Sequence, residues 1–258
     1  MDYRRHSMRK LYSATTRCNA GCKYCFTKWN GIYAEQPLFG LEHTSEKEAI
    51  IYPCCDGEFF EQSNYIEIAK NMMENMERVY FSISTKSIVT EQMLEVISEL
   101  NNLLCSENKG FVKFSISVSN KSQIDEIEPG TLAYIKRLET AQQLVQAGIP
   151  SSLTLKPILP FVPDEEYFEI INDFSPIINR MLVGGLYVCP KTQFYSEYIN
   201  GQHMTEKRQV QWLVGKPTWD YVGDMQKLSR IKEHAACLGI QTFDSDIDVI
   251  KSFIKNGK

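Results

Sequence analysis

No apolar run in this chain is long enough to span a bilayer, and a start containing Arg4, Arg5, Arg9 and Lys10 lacks the apolar core of a secretory signal. The expectation is a cytoplasmic protein with no membrane partner. Positive charge is not in excess either: the formal net charge of −4 argues against a surface that neutralises nucleic-acid phosphates across a whole domain. The basic start is then either a small contact arm for an anionic substrate or a solvated tail. The C-terminal part has no basic hairpin of the kind a duplex reader needs, so strong binding of duplex DNA is not expected. Internal repeats and low-complexity tracts are also missing, which sets repeat architectures aside.

What is present suits one ordinary globular core. A chain of 258 residues, 43% hydrophobic and 23% charged, can fill a single α/β barrel. It contains 8 cysteines, but a chain this size has enough core formers to fold without disulfides, so reduced thiols fit better.

Three of those cysteines fall in one short stretch. Cys18, Cys22 and Cys25 follow an apolar, β-branched run at the spacing Cys-x3-Cys-x2-Cys, and Gly21 supplies the permissive backbone a ligand loop needs. Three thiolates on an iron–sulfur cluster leave one iron open, the mark of a catalytic centre rather than a closed structural one. The alternative is a zinc knuckle with His6, His43, Cys54 or Cys55 as fourth ligand, in a module that binds nucleic acid or a protein partner. Zinc sites usually show a second ligand pair at a recognisable spacing, and none follows here.

Along the chain, strands are expected over 11–16, 49–54, 79–84, 111–118, 153–158 and 181–188. Helical periodicity appears over 64–76, after Thr90, between Thr131 and Gly148, and from Asp164 to Ile171. Strands alternating with helices imply βαβ units and a parallel sheet. Residues 26–43 read as a long loop rich in aromatics and turn formers. Beyond Cys189 the pattern becomes irregular and aromatic, with a helix over 224–238, a short strand over 240–243 and a last helix over 247–254. The chain divides into a barrel over 1–188 and an extension over 189–258 that packs on it, either closing the open side over substrate or covering an edge.

In parallel barrels the reactive groups gather at the C-terminal ends of strands. There lie the three cysteines, then Cys54, Cys55, Asp56, Gly57 and Glu58, then Ser84, Thr85 and Lys86, then Ser115, Ser117 and Ser119. A carboxylate after the second strand can meet an ammonium group through charge-assisted hydrogen bonds. Lys86 is either a partner for a carboxylate or a solvated lysine, and Arg137 either reaches a ligand or pairs with Glu128 or Glu139.

The cysteine spacing, with Tyr24 before the last cysteine, resembles the signature of the radical S-adenosylmethionine (SAM) enzymes. Glu128-Pro129-Gly130, Arg137, Lys156-Pro157-Ile158-Leu159-Pro160 and Ser84-Thr85-Lys86 narrow the likeness to the spore photoproduct lyase-like branch. The resemblance implies an α/β fold of the partial (β/α)6 TIM-barrel type, and a 4Fe-4S cluster on Cys18, Cys22 and Cys25 with SAM on its open iron. It implies reductive cleavage of SAM to a 5′-deoxyadenosyl radical, electrons from a donor such as flavodoxin or ferredoxin, and hydrogen abstraction from a substrate. A nucleobase or nucleoside leads the candidates, with a peptide or small metabolite as alternatives. By the same resemblance Tyr24, Asp56, Gly57, Glu58, Ser84, Lys86, Ser117 and Arg137 contact SAM, and Tyr24 and Cys54 or Cys55 act in catalysis. Either cysteine is a hydrogen donor or a small buried hydrophobe. Phe26 stands where the lyase has a second tyrosine and has no labile O–H, so a relay through that position is excluded.

Overall fold

Alternating β-branched and aromatic residues pair into strands wherever the sequence runs to period two, as in Val79, Phe81 and Ile83 or Val112, Phe114 and Ile116. The computed structural model describes residues 9–13, 18–26, 36–37, 48–55, 57–59, 74, 77–210 and 216–255. Within them one parallel sheet is assembled from β1 (Arg9–Ser13), β2 (Gln36–Pro37), β3 (Glu48–Tyr52), β4 (Arg78–Thr85), β5 (Gly110–Ser117), β6 (Ser151–Leu155), β7 (Arg180–Val183) and β11 (Gln241–Phe243). Its order is β11-β7-β6-β5-β4-β3-β1-β2, and every pairing is parallel. This is the α/β partial barrel expected from the sequence, with a strand added at each edge. The helix expected over 64–76 and the loop expected over 26–43 lie almost wholly outside the described residues.

The strand expected over 181–188 breaks at Gly184 and Gly185. A Cβ on Gly185 would lie 2.6 Å from the Tyr221 hydroxyl, so only glycine lets the chain pass and turn there. Beyond the break, β8 (Leu186–Val188) leaves the barrel and joins β10 (Thr218–Val222) and β9 (Glu206–Gln209) in a separate antiparallel sheet of order β8-β10-β9.

Helices cover one face of the parallel sheet. Thr90 caps α1 (Glu91–Ser106) by accepting from the Met93 amide at 3.3 Å. Leu104 and Ile97 of α1 join Ala141 and Leu144 of α3 (Tyr134–Gln146), and Tyr167 and Ile171 of α4 (Asp164–Phe174), against Val79, Phe81, Val112, Phe114, Leu153 and Leu155. Burying each large side chain stabilises the fold by about 1.5–3 kcal/mol. A four-residue turn of helix, α2 (Ile124–Ile127), precedes α3, and α5 (Gln193–Tyr198) and α6 (Met225–Cys237) follow α4. Among the described residues no helix is long and apolar enough to cross a membrane.

The opposite face is covered by the last helix, α7 (Asp246–Lys255). Its Val249, Ile250 and Phe253 pack on Ile50, Tyr80, Phe111 and Leu182, the residues that alternate away from the outer core. Above this apolar floor Asp246 pairs with the fully buried Lys113 at 2.5 Å and accepts from Ser82 at 2.6 Å. The chain's far end is thus tied to the middle of β4 and β5. Removing one partner of such a pair strands a charge. Asp246→Leu should therefore cost about 3 kcal/mol in urea unfolding, and adding Lys113→Met should restore much of it. Simple addition of the two losses would contradict the pairing.

Candidate active site

The cysteine loop follows β1 in the sequence and is held from outside itself. Gly21 takes a φ of +65°, a left-handed conformation that glycine adopts without strain. Lys23 donates its amide to Ile127 at 2.8 Å, and Gly130 donates to Ala20 at 2.9 Å. The loop around Glu128-Pro129-Gly130 is therefore seated on the cysteine loop. A Cβ on Gly130 would lie 2.9 Å from the Ala20 carbonyl and closer still to that of Asn19. Cys22 is buried, whereas Cys18 and Cys25 are half-buried, and none of the three forms a disulfide.

Next to this loop lies a buried charge cluster centred on Glu128. Its Oε1 accepts from Lys86 at 2.5 Å, from Ser119 at 2.7 Å and from the Tyr24 hydroxyl, and its Oε2 pairs with Arg137 at 2.5 Å. Burial alone would raise the carboxyl pKa, but Lys86 and Arg137 outweigh it and hold the group at about 2. Lys86 in turn reaches the Tyr24 hydroxyl at 2.5 Å and the Cys22 sulfur at 3.3 Å. Burial works against its charge, yet Tyr24, Glu128 and Cys22 together lift its pKa well above the ordinary lysine value. Burial pushes the Cys22 thiol up, with Lys86 pulling the other way. Tyr24, set edge-on to Phe194, is held protonated chiefly by burial.

Glu58 occupies a neighbouring position after β3. It is buried, accepts from Thr85 at 2.7 Å and takes the Lys86 amide at 3.2 Å. The structure thus gathers Cys22, Tyr24, Glu58 and Lys86 at the ends of β1, β3 and β4. Arg137 points inward as well, but of the partners the sequence leaves open it takes Glu128, while Glu139 pairs with Lys136 at 2.7 Å. The remaining Arg137 donors go to the carbonyls of Leu132 and Ser117 and to Thr131. Gly57 donates to the Cys54 carbonyl at 3.0 Å. Cys54 is packed in the core, at a φ of +57°, and Cys55 is half-buried. Ser84 is exposed and Ser117 half-buried on the inner face, while Asp56, His6 and His43 lie outside the described residues. Sequence reasoning missed Glu128 as the hub. The visible signal was its place between a short helix and a proline-glycine turn that must lie against the cysteine loop.

Among the described residues no three His, Cys, Asp or Glu side chains lie close enough together to share a single metal ion. A multi-iron cluster asks something different, because each thiolate takes its own iron. The donor set, three cysteines outside any disulfide on one clamped loop with a lysine ammonium beside the buried one, fits such a cluster.

No family model matches the chain, and no curated protein matches it in sequence. Solved structures do. Spore photoproduct lyase complexed with dinucleoside spore photoproduct superposes with a TM-score of 0.59 at 14% identity, covering 88% of this chain and 74% of that one. A variant of the lyase with bound AdoMet and the dinucleoside gives 0.56 at 13%, covering 77% and 62%. SuiB of Streptococcus suis bound to S-adenosylmethionine gives 0.54 at 9%, and this chain, 92% covered, spans 50% of its length. At these identities the likeness is one of fold.

Two outcomes follow from the geometry. Gly130→Ala should displace the cysteine loop, and iron bound per chain after anaerobic reconstitution should fall at least severalfold while circular dichroism is unchanged; full iron retention would refute the clamp. Glu128, whose pKa drops from 4.5 to about 2 on folding, contributes stability that is complete above about pH 4.5 and lost as pH falls toward 2. Glu128→Gln should therefore be less stable at pH 6 and lose less on acidification to pH 3, as measured by urea unfolding.

Proposed function

We propose that this chain is a radical SAM enzyme, in which Cys18, Cys22 and Cys25 hold a 4Fe-4S cluster and SAM binds beside it. Bound together, the cluster and SAM supply a 5′-deoxyadenosyl radical by reductive cleavage. The observation that carries the reading is the clamped three-cysteine loop at the strand-end mouth of a fold shared with spore photoproduct lyase and SuiB.

This chain's own residues prepare that site. Glu128 fixes Lys86 by a buried ion pair, and Lys86 sets a positive charge against Cys22, which favours the thiolate that a metal ligand must be. Thr85 and the Lys86 amide orient the Glu58 carboxylate, an acceptor suited to the ammonium of an amino-acid cofactor. Ser84 and Ser117, on the inner face of β4 and β5, offer hydroxyls to ribose or carboxylate oxygens. Arg137 acts through Glu128 and Ser117 as a positioning residue. Tyr24, with its proton held, lines the approach to the cysteines. Cys55, half-buried at the end of β3, is the better placed of the two neighbouring cysteines to return a hydrogen atom, since Cys54 is packed in the core.

The substrate reading is a nucleobase or nucleoside, supported by the fold shared with a lyase solved with a dinucleoside. A peptide is the second reading, favoured by the same fold in SuiB, solved with the precursor peptide SuiA at 8% identity and a TM-score of 0.54. The residues after Cys189 pack on the barrel as a C-terminal unit, and a flavodoxin or ferredoxin delivers the electron. Protein reconstituted anaerobically with iron and sulfide, then given dithionite and SAM, should form 5′-deoxyadenosine. A Cys22→Ala variant should fall to background, and wild-type protein no better than that variant would defeat the proposal.

A further inference from the structure

The inner face of the sheet carries hydroxyls where parallel barrels ordinarily place bulky branched side chains. Ser84 of β4, Ser115 of β5 and Ser152 of β6 stand in one register row, and Ser117 pairs with Thr154 in the next. Their neighbours Ile83, Ile116, Leu153 and Leu155 point to the outer core, which fixes the facing of the hydroxyl rows. Ser152 is wholly buried and Thr154 is 7% exposed, yet among the described residues neither hydroxyl has a hydrogen-bond partner. A buried hydroxyl without a partner is a standing cost that natural folds rarely keep without reason. Two of them, two residues apart on β6 and so on one face, mark positions that a visiting molecule completes.

The surroundings narrow what that molecule is. On one side the face opens outward through exposed Ser84 and half-buried Ser117. On the other it is closed by Lys113, which donates to Ser115 and is neutralised by Asp246 of α7. The floor therefore offers no net charge to an ion, and an ionised group brought there would lose its hydration without gaining a counter-charge. Hydroxyls both donate and accept, so they suit groups that present both functions side by side.

We propose that Ser152 and Thr154 form a recognition surface for an uncharged substrate group bearing adjacent donors and acceptors, the chemistry shared by sugar hydroxyls and a cyclic imide. Assigning the occupant as substrate rests on the radical SAM reading; the recognition surface does not. β6 stands a strand further from the cysteine loop than Ser117, so this pair of hydroxyls is distinct from the cofactor contacts assigned to Glu58, Ser84, Lys86 and Ser117.

The test is calorimetric titration of reconstituted protein with SAM present, using uridine, ribose and L-glutamate as probes, repeated on protein as purified. Uridine should bind saturably and glutamate should not; ribose binding as well as uridine assigns the sugar to the hydroxyl rows, and uridine alone assigns the imide. The double variant Ser152→Ala with Thr154→Val should bind uridine about tenfold more weakly, the loss of two neutral hydrogen bonds. It should keep its affinity for SAM and melt no lower than wild type, while Thr154→Ser retains binding. No binding of either neutral probe, equal binding of glutamate, an unchanged double variant, or an equal loss of SAM affinity would each overturn the proposal. A protein that binds uridine in this way but makes no 5′-deoxyadenosine would keep the surface and lose the radical reading.

Discussion

The site depends on one buried carboxylate. Glu128 is reached by two cations, a phenol and a serine hydroxyl, on residues contributed by the cysteine loop, the end of β4, the segment after β5 and α3. A carboxylate with no solvent around it persists as an anion only when its partners return more than its lost hydration. Here two cations do so, and the segments that carry them are thereby fixed in space. The Pro129-Gly130 turn that follows then rests on the backbone of Asn19 and Ala20. Electrostatics at residue 128 and sterics at residue 130 together set where three thiols stand.

A parallel sheet makes that convergence possible, because every strand delivers its following loop to the same rim. β1 delivers the cysteines, β3 delivers Glu58, β4 delivers Lys86, and the segment after β5 delivers Ser119 and Glu128. The chain after Cys189 serves the other requirements of such a sheet. β11 pairs with β7 and so extends that edge, and α7 fills the inner face from Ile50 to Leu182. Its Asp246 brings to Lys113 the counter-charge that this buried lysine needs.

Much of this was legible in the residues themselves. Period-two alternation located β4 and β5, short runs bounded by turn formers located β3, β6 and β7, and Thr90 announced the start of α1 through its capping hydroxyl. The cysteine spacing and the position of Lys86 after a strand pointed to one strand-end rim, and the structure brings Lys86 to Cys22. The break at Gly184-Gly185 was not legible, because its cause is Tyr221, far along the chain. The Lys113–Asp246 pair was hidden for the same reason: 133 residues separate its members, and no local pattern links them. Arg137 left two partners open in the sequence because Glu128 and Glu139 both lie within helical or loop reach; only the packed fold selects Glu128.

The central claim is that three clamped thiols leave one iron of a cluster free for SAM. Electron paramagnetic resonance of the dithionite-reduced, reconstituted protein tests it most directly. The account predicts the signal of a reduced 4Fe-4S cluster whose g-values and line shape change when SAM is added, because SAM becomes a ligand. A four-iron signal indifferent to SAM, or protein that binds zinc and shows no such signal, would contradict it.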